Sequence, residues 1–208
     1  AAHDCTNLVE AYFDMCQRYL LFCPAAIVFC EVLSSIASCG RQCLATCKGE
    51  RNSTRATLNF LDKLIGWQRL PVPPESKRTL ESGAQRLNEI TATNGKQVIQ
   101  SCIDMIVGGP RMLWPAAGDV IFSVVLASVG WPVPELPSIS MAQQWLENVD
   151  ISVPNGDSKG GNPAMVYRQT ADELLVMART GPNMKAKSKI LLSDMSLALN
   201  GHKAAEII

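Results

Sequence analysis

The sequence predicts an all-α fold: an irregular bundle of about eight helices with a disulfide-stapled N-terminal helical hairpin. Two observations support this prediction. Apolar residues recur at helical spacing along most of the chain, whereas runs with the two-residue period of a strand are scarce. Seven of the eight cysteines lie in the first 47 residues, at positions that two facing helices can bring together.

The composition indicates a well-packed globular protein. Of the 208 residues, 47% are hydrophobic, which is enough to fill a core. Nineteen Lys and Arg residues balance nineteen Asp and Glu residues. Because nucleic-acid-binding proteins normally present a basic surface, we expect no nucleic-acid partner. We predict a Cys-rich helical hairpin at 1–50, a helical core at 51–132, and a C-terminal helical segment at 133–208 that packs with the core as one domain.

The hairpin is predicted from two successive helical patterns. Asn7 and Glu10 have the spacing of a capping box, which starts a helix over about residues 8–23. Pro24 interrupts this helix, and a second helical pattern continues to Cys47. In an antiparallel pair of helices, facing residues have nearly constant sums of residue numbers. The four disulfides predicted in this way are Cys5–Cys47, Cys16–Cys39, Cys23–Cys30 and Cys43–Cys102.

This pairing is one of the 105 that eight cysteines allow. It also requires a bend in the second helix, because Cys30 and Cys39 lie half a turn out of phase. Metal binding is the alternative, since Cys39, Cys43 and Cys47 recur every four residues on one helical side. Zinc and iron–sulfur sites commonly place paired cysteines two residues apart on turns, so we predict neither a metal ligand nor a cofactor.

The cysteine density also predicts an oxidising compartment, and hence a secreted protein. The opening Ala1-Ala2 fits the end left by a signal peptidase. A sequon begins at Asn52, in a polar stretch that predicts an exposed loop and a glycan.

Three amphipathic helices are predicted after the sequon. The first ends near Leu70, and the second ends at Asn94-Gly95, a dipeptide typical of turns. The third places Cys102 on its apolar side. A strongly apolar run at 112–131 has Asp119 as its only charged residue, and it predicts a buried helix over about 115–129 in which Asp119 favours the positive end of the helix dipole.

The last third of the chain is more polar. Residues 130–138 contain three prolines and predict a linker, which a short helix follows. A turn-rich loop at 152–164 matches neither an EF-hand nor a phosphate-binding loop. Two further helices are predicted, one ending at Gly181 and one beginning with Lys185, Lys187 and Lys189, three charges of the wrong sign for a helix N-terminus.

No local motif predicts catalysis. His3 and His202 are the only histidines, and neither belongs to a recognisable constellation, although folding could still assemble a site from distant residues. The sequence therefore favours a non-catalytic extracytoplasmic structural or assembly subunit that acts through protein–protein contacts or self-assembly. Such a protein needs an exposed apolar patch, for which the candidates are residues 19–39, 112–131 and 190–199.

The alternative is a membrane-active protein, either a pore-forming toxin or an integral subunit of a membrane complex. Residues 19–40 and 112–131 are long and apolar enough for this function. Glu31 and Pro24 inside the first segment favour a core helix pair over a membrane span.

Overall fold

The computed structural model describes residues 2–46, 50–151 and 162–199. Within these residues, ten α-helices and one two-stranded antiparallel sheet confirm the all-α prediction. The chain divides into two compact units, an N-terminal unit (Ala1–Val98) and a C-terminal unit (Ile99–Ile208).

The N-terminal unit is built around a pair of long helices. Its elements are α1 (Ala2–Phe22), α2 (Pro24–Val28), α3 (Leu33–Thr46), α4 (Arg51–Ile65), a 3-10 turn (Trp67–Arg69), α5 (Pro74–Ser82) and the first part of α6 (Ala84–Gly108). The most extensive helix contact joins α1 to α4. The rings of Phe13 and Phe60 meet at the centre of this contact, with centroids 5.4 Å apart, and both side chains are fully buried.

The disulfide-stapled hairpin is not supported by this arrangement. The chain after Pro24 forms two helices instead of one, separated by residues 29–32, and α1 packs mainly on α4. The face of α1 that was predicted to meet the second helix is therefore occupied by α4. No disulfide joins any of the cysteines whose side chains the structure describes, which are Cys16, Cys23, Cys30, Cys39, Cys43 and Cys102. Cys5 and Cys47 lie outside that set.

Two predicted boundaries in this unit are wrong. The polar stretch around the sequon is not a loop, because α4 begins at Arg51 and Asn52 lies in its first turn. The predicted stop at Asn94-Gly95 is also absent, since α6 runs through it without a break. Asn94 remains in the helix because Nδ2 donates to the carbonyl oxygen of Ile90, 2.9 Å away, and because buried residues on both sides hold the helix against the core.

The C-terminal unit is centred on α7 (Trp114–Ser128), which packs against α8 (Met141–Glu147), α9 (Pro163–Thr180) and α10 (Lys185–Leu199). Residues 120–125 are all at most 1% exposed, which confirms the predicted buried helix. Helices α7 and α10 approach closely at Gly118, where a Cβ atom would lie 3.4 Å from Cδ1 of Leu192.

The region predicted as a linker forms a short β-hairpin instead. Strand β1 (Pro132–Val133) pairs antiparallel with β2 (Leu136–Ser140). Ser140 then caps α8, because its hydroxyl accepts a hydrogen bond from the backbone of Gln143 at 3.2 Å. The predicted helix end at Gly181 is confirmed by its φ of 125°, a conformation that favours glycine.

Candidate functional site

Helix α1 carries an exposed row of apolar side chains opposite its buried face. We call this row the α1 stripe; its members are Leu8, Ala11, Met15, Tyr19 and Phe22. At 100° per residue they span an arc of about 80°. Leu8 and Phe22, at its two ends, are 70% and 76% exposed. A contiguous apolar surface of this kind is typical of an interaction site.

A polar pocket of about 510 Å³ opens elsewhere in the N-terminal unit. It lies beside α6, and the start of α3 and the end of α5 complete its walls. Its lining residues are Phe29, Ser34, Ser38, Ser82, Gly83, Gln85, Arg86, Glu89, Ile90, Thr93 and Asn94. Its volume is within the range of about 300–1,000 Å³ that is usual for small-molecule sites.

The pocket wall is held by contacts between distant parts of the unit. Nη2 of Arg86 donates to the carbonyl oxygens of Cys30 and Glu31, so α6 is tied to the turn between α2 and α3. Ser38 donates to Oδ1 of Asn94 at 3.4 Å, which ties α6 to α3. Asn94 is only 5% exposed, which is unusual for an amide side chain in the middle of a helix.

The predicted disulfide residues differ widely in accessibility. Cys16 and Cys102 are buried, Cys23 and Cys39 are exposed, and Cys30 and Cys43 are half-buried. Burial raises the pKa of the Cys102 thiol far above its usual range. A thiol that keeps its proton is a poor nucleophile and a poor metal ligand, so Cys102 fits a purely structural role.

Tyr12 lies near three of the predicted cysteines. The pKa of its phenol is raised to about 12, mainly by burial and in smaller part by Cys16, Cys39 and Cys30. Burial also raises the pKa of Cys16, although the hydrogen bond with Tyr12 acts in the opposite direction. Cys16 and Cys39 both lie near Tyr12 as free thiols, and the predicted disulfide between them is not supported.

No metal centre forms at the cysteines or elsewhere in the part of the chain that the structure describes: no group of three or more His, Cys, Asp or Glu residues could hold a metal ion. The predicted glycan acceptor Asn52 is exposed. Thr54 of the same sequon is 1% exposed, because the sequon is helical. His3 and His202 lie outside the described side chains.

An ion cluster joins α7 to α10 in the C-terminal unit. The Asp119 carboxylate lies 2.8 Å from Nζ of Lys189 and 3.4 Å from Nζ of Lys185. Asp119 was predicted in the first turn of α7, but it lies beyond that turn. Its carboxylate supplies the negative charge that the first turn of α10 lacks.

The two segments considered for membrane insertion differ in the structure. Residues 19–40 are divided among α1, α2 and α3 and do not form one helix. Arg111–Ser128 is, among the described residues, one helical stretch long and apolar enough to cross a membrane, but 61% of it is buried inside the protein. Length and composition alone are weak evidence, because a core helix has the same properties.

No family model, curated protein or solved structure matches the chain. Two surfaces of the N-terminal unit, the α1 stripe and the polar pocket, are therefore the features that bear on function.

Sequence reasoning missed both surfaces, although each has a signal in the sequence. The signal for the α1 stripe is the heptad spacing of Leu8, Met15 and Phe22. The cysteines of the same helix define a different face, and the hairpin was predicted from that face alone. The signal for the pocket is Asn94-Gly95 inside a helical pattern. A local rule that the fold violates often marks a functional or strained position.

Proposed function

We propose that this protein is a non-catalytic structural or assembly subunit, and that two copies associate through the α1 stripe. The exposure of four large apolar side chains on one helical face carries this proposal, because such a face is stabilised when a partner covers it. Of the three candidate patches predicted from the sequence, 112–131 is largely buried in the core.

The partner is a second copy because the α1 stripe is complementary to itself. When two copies of α1 run antiparallel about Met15, Leu8 of each lies opposite Phe22 of the other. Ala11 lies opposite Tyr19, which pairs a small side chain with a large one. Such an isologous contact closes as a two-fold dimer.

Charge complementarity supports the same register. Asp14 and Arg18 lie on one flank of the stripe, and both are exposed. In the antiparallel pair, Asp14 of each copy comes within about two residues of Arg18 of the other. Flanking charges of this kind fix register and orientation more than affinity.

The magnitude of the association follows from the exposed area. Fully burying a large apolar side chain contributes about 1.5–3 kcal/mol. Eight such side chains at roughly 60% exposure therefore provide about 7–14 kcal/mol, which overlaps the cost of about 4–15 kcal/mol for association. The dimer must accordingly be measured as a function of concentration.

Sedimentation velocity over a wide range of concentrations tests the dimer. Met15→Glu places two carboxylates together at the two-fold axis and should abolish association. Met165→Glu is the matched control, since Met165 is 71% exposed on α9, outside the stripe, and its replacement should leave the dimer intact. A wild-type protein that stays monomeric throughout would contradict the proposal.

A charge swap tests the register independently of folding. Asp14→Arg should weaken the dimer by placing like charges together, and the double variant Asp14→Arg with Arg18→Asp should restore it. Equal affinities of the single and double variants would refute the antiparallel register.

We also propose an extracytoplasmic location, because seven cysteines occur in the first 47 residues. Mass measurement of the denatured protein with and without reductant tests whether disulfides form there.

The membrane-active alternative is tested with vesicles of phosphatidylcholine: leakage on addition of the monomeric protein would replace the assembly proposal.

A further inference from the structure

We infer that the polar pocket of the N-terminal unit binds a neutral polyhydroxylated molecule, a sugar in its pyranose form. This inference is separate from the assembly proposal, because it rests on different residues and a different chemistry. Its basis is the set of hydrogen-bond donors and acceptors that the pocket walls leave available.

The hydroxyl groups of the pocket offer mainly acceptors. Thr93 donates to the carbonyl oxygen of Glu89 at 2.8 Å, and Ser82 donates to that of Thr79 at 2.8 Å. Ser38 donates to Asn94. Each of these three hydroxyls therefore has its proton engaged and keeps lone pairs for an incoming O–H group, whereas Ser34, the fourth hydroxyl of the pocket, can both donate and accept.

Donors are also available on the same walls. Both hydrogen bonds of Arg86 use Nη2, which leaves the N–H groups of Nη1 and Nε. Asn94 uses one N–H of its amide toward Ile90 and keeps the other. Glu89 accepts from Gln85 through Oε1 at 2.9 Å, which leaves Oε2 as a further acceptor.

This mixture discriminates between classes of ligand. A carboxylate can only accept, and a phosphate near neutral pH has only one or two protons to donate, so either would leave acceptors among Ser38, Ser82 and Thr93 without a bond. An ammonium group has the opposite mismatch. A sugar hydroxyl both donates and accepts, so it satisfies both kinds of group. The single positive charge of Arg86 and the single negative charge of Glu89 likewise favour a ligand with no net charge.

The apolar part of the pocket fits the same ligand. Phe29 is 51% exposed at the pocket edge. The face of an aromatic ring carries partial negative charge, which attracts the C–H groups on the flat side of a pyranose ring. Gly83, which also lines the pocket, lets Val28 pack closely behind the wall, because a Cβ atom there would collide with Cγ1 of Val28.

The test is a titration of the ¹⁵N-labelled full chain, followed by backbone amide chemical shifts. Glucose, maltose and dextran are the uncharged probes, glycine is the zwitterionic control, and inorganic phosphate is the anionic control. We expect shifts confined to amides around the pocket with glucose or maltose. Shifts with dextran alone would identify the sugar unit of a polymer as the ligand. Shifts with glycine or phosphate alone, or no shifts at all, would overturn the inference.

A matched pair of variants tests the location. Thr93→Val removes one acceptor and should weaken sugar binding about two- to tenfold, the effect of one hydrogen bond. Thr79→Val is the control, because Thr79 is also a helical threonine bonded to the carbonyl four residues earlier, but lies outside the pocket. Thr93 is exposed and Thr79 is half-buried, so neither variant removes a group from the core and both should fold. Equal affinities of the two variants would refute binding at this pocket.

Discussion

Removal of the Asp119 carboxylate should destabilise the C-terminal unit by about 1–3 kcal/mol. In the wild type, the Asp119 carboxylate pairs with Lys185 and Lys189. Asp119→Asn keeps the shape of the side chain but removes this charge. Two partly exposed ion pairs contribute about 0.2–1 kcal/mol each. Two ammonium groups that lose the Asp119 charge near the N-terminus of α10 cost about 0.3–1 kcal/mol each. Because Lys189 is 38% exposed, solvent screening keeps the total loss of stability in the lower part of the range that these two contributions give together.

Urea unfolding of the wild type and of Asp119→Asn measures this difference. Raising the salt concentration from 0.1 to 1 M shortens the screening length from about 10 to about 3 Å, so the difference should shrink. Lys187→Ala is the control: Lys187 is an exposed lysine of the same helix, and its replacement should change stability by less than about 0.5 kcal/mol. An effect of Asp119→Asn that equals this control, or that does not depend on salt, would refute the assignment of the ion cluster.

Three further predictions follow from burial and close approach. Maleimide should modify Cys23 in the folded protein, while buried Cys102 should react only after unfolding. The raised pKa of Tyr12 means that the folded protein holds the phenolic proton more tightly than the unfolded chain does. The free energy of unfolding should therefore fall as pH rises from about 10 toward 12. Urea unfolding at several pH values should show a smaller fall for Tyr12→Phe. Gly83→Ala should lower stability by about 1–3 kcal/mol through the clash with Val28, and Val28→Ala should relieve it.

Each of these predictions has an outcome that contradicts it. Equal labelling rates for Cys23 and Cys102 in the folded protein would show that Cys102 is accessible. An unchanged dependence of stability on pH in Tyr12→Phe would mean that the phenol titrates alike in the folded and unfolded chain. Additive losses in the double variant of Gly83 and Val28 would exclude a contact between them.

The sequence by itself determined the elements whose apolar period and end signals agree. The helix at Trp114–Ser128 combines a continuous apolar run with a proline at its start. The helix at Pro163–Thr180 ends at Gly181, whose positive φ favours glycine. Local propensity and burial point to the same structure in both helices, so the prediction needed no tertiary information. The absence of a recognisable catalytic motif was likewise read from the residues alone.

Tertiary structure decided which helix covers which face. Phe13, Cys16 and Leu20 share one side of α1, and the sequence cannot show whether residues 24–47 or α4 packs on that side, because hydrophobic attraction has no direction. Asn94-Gly95 is a turn signal in isolation, but burial on both sides of it outweighs a propensity cost of about 1 kcal/mol. The two contacts that hold the pocket wall, Ser38 with Asn94 and Arg86 with the carbonyl of Cys30, each join residues 56 positions apart in the sequence, so only folding could bring them together.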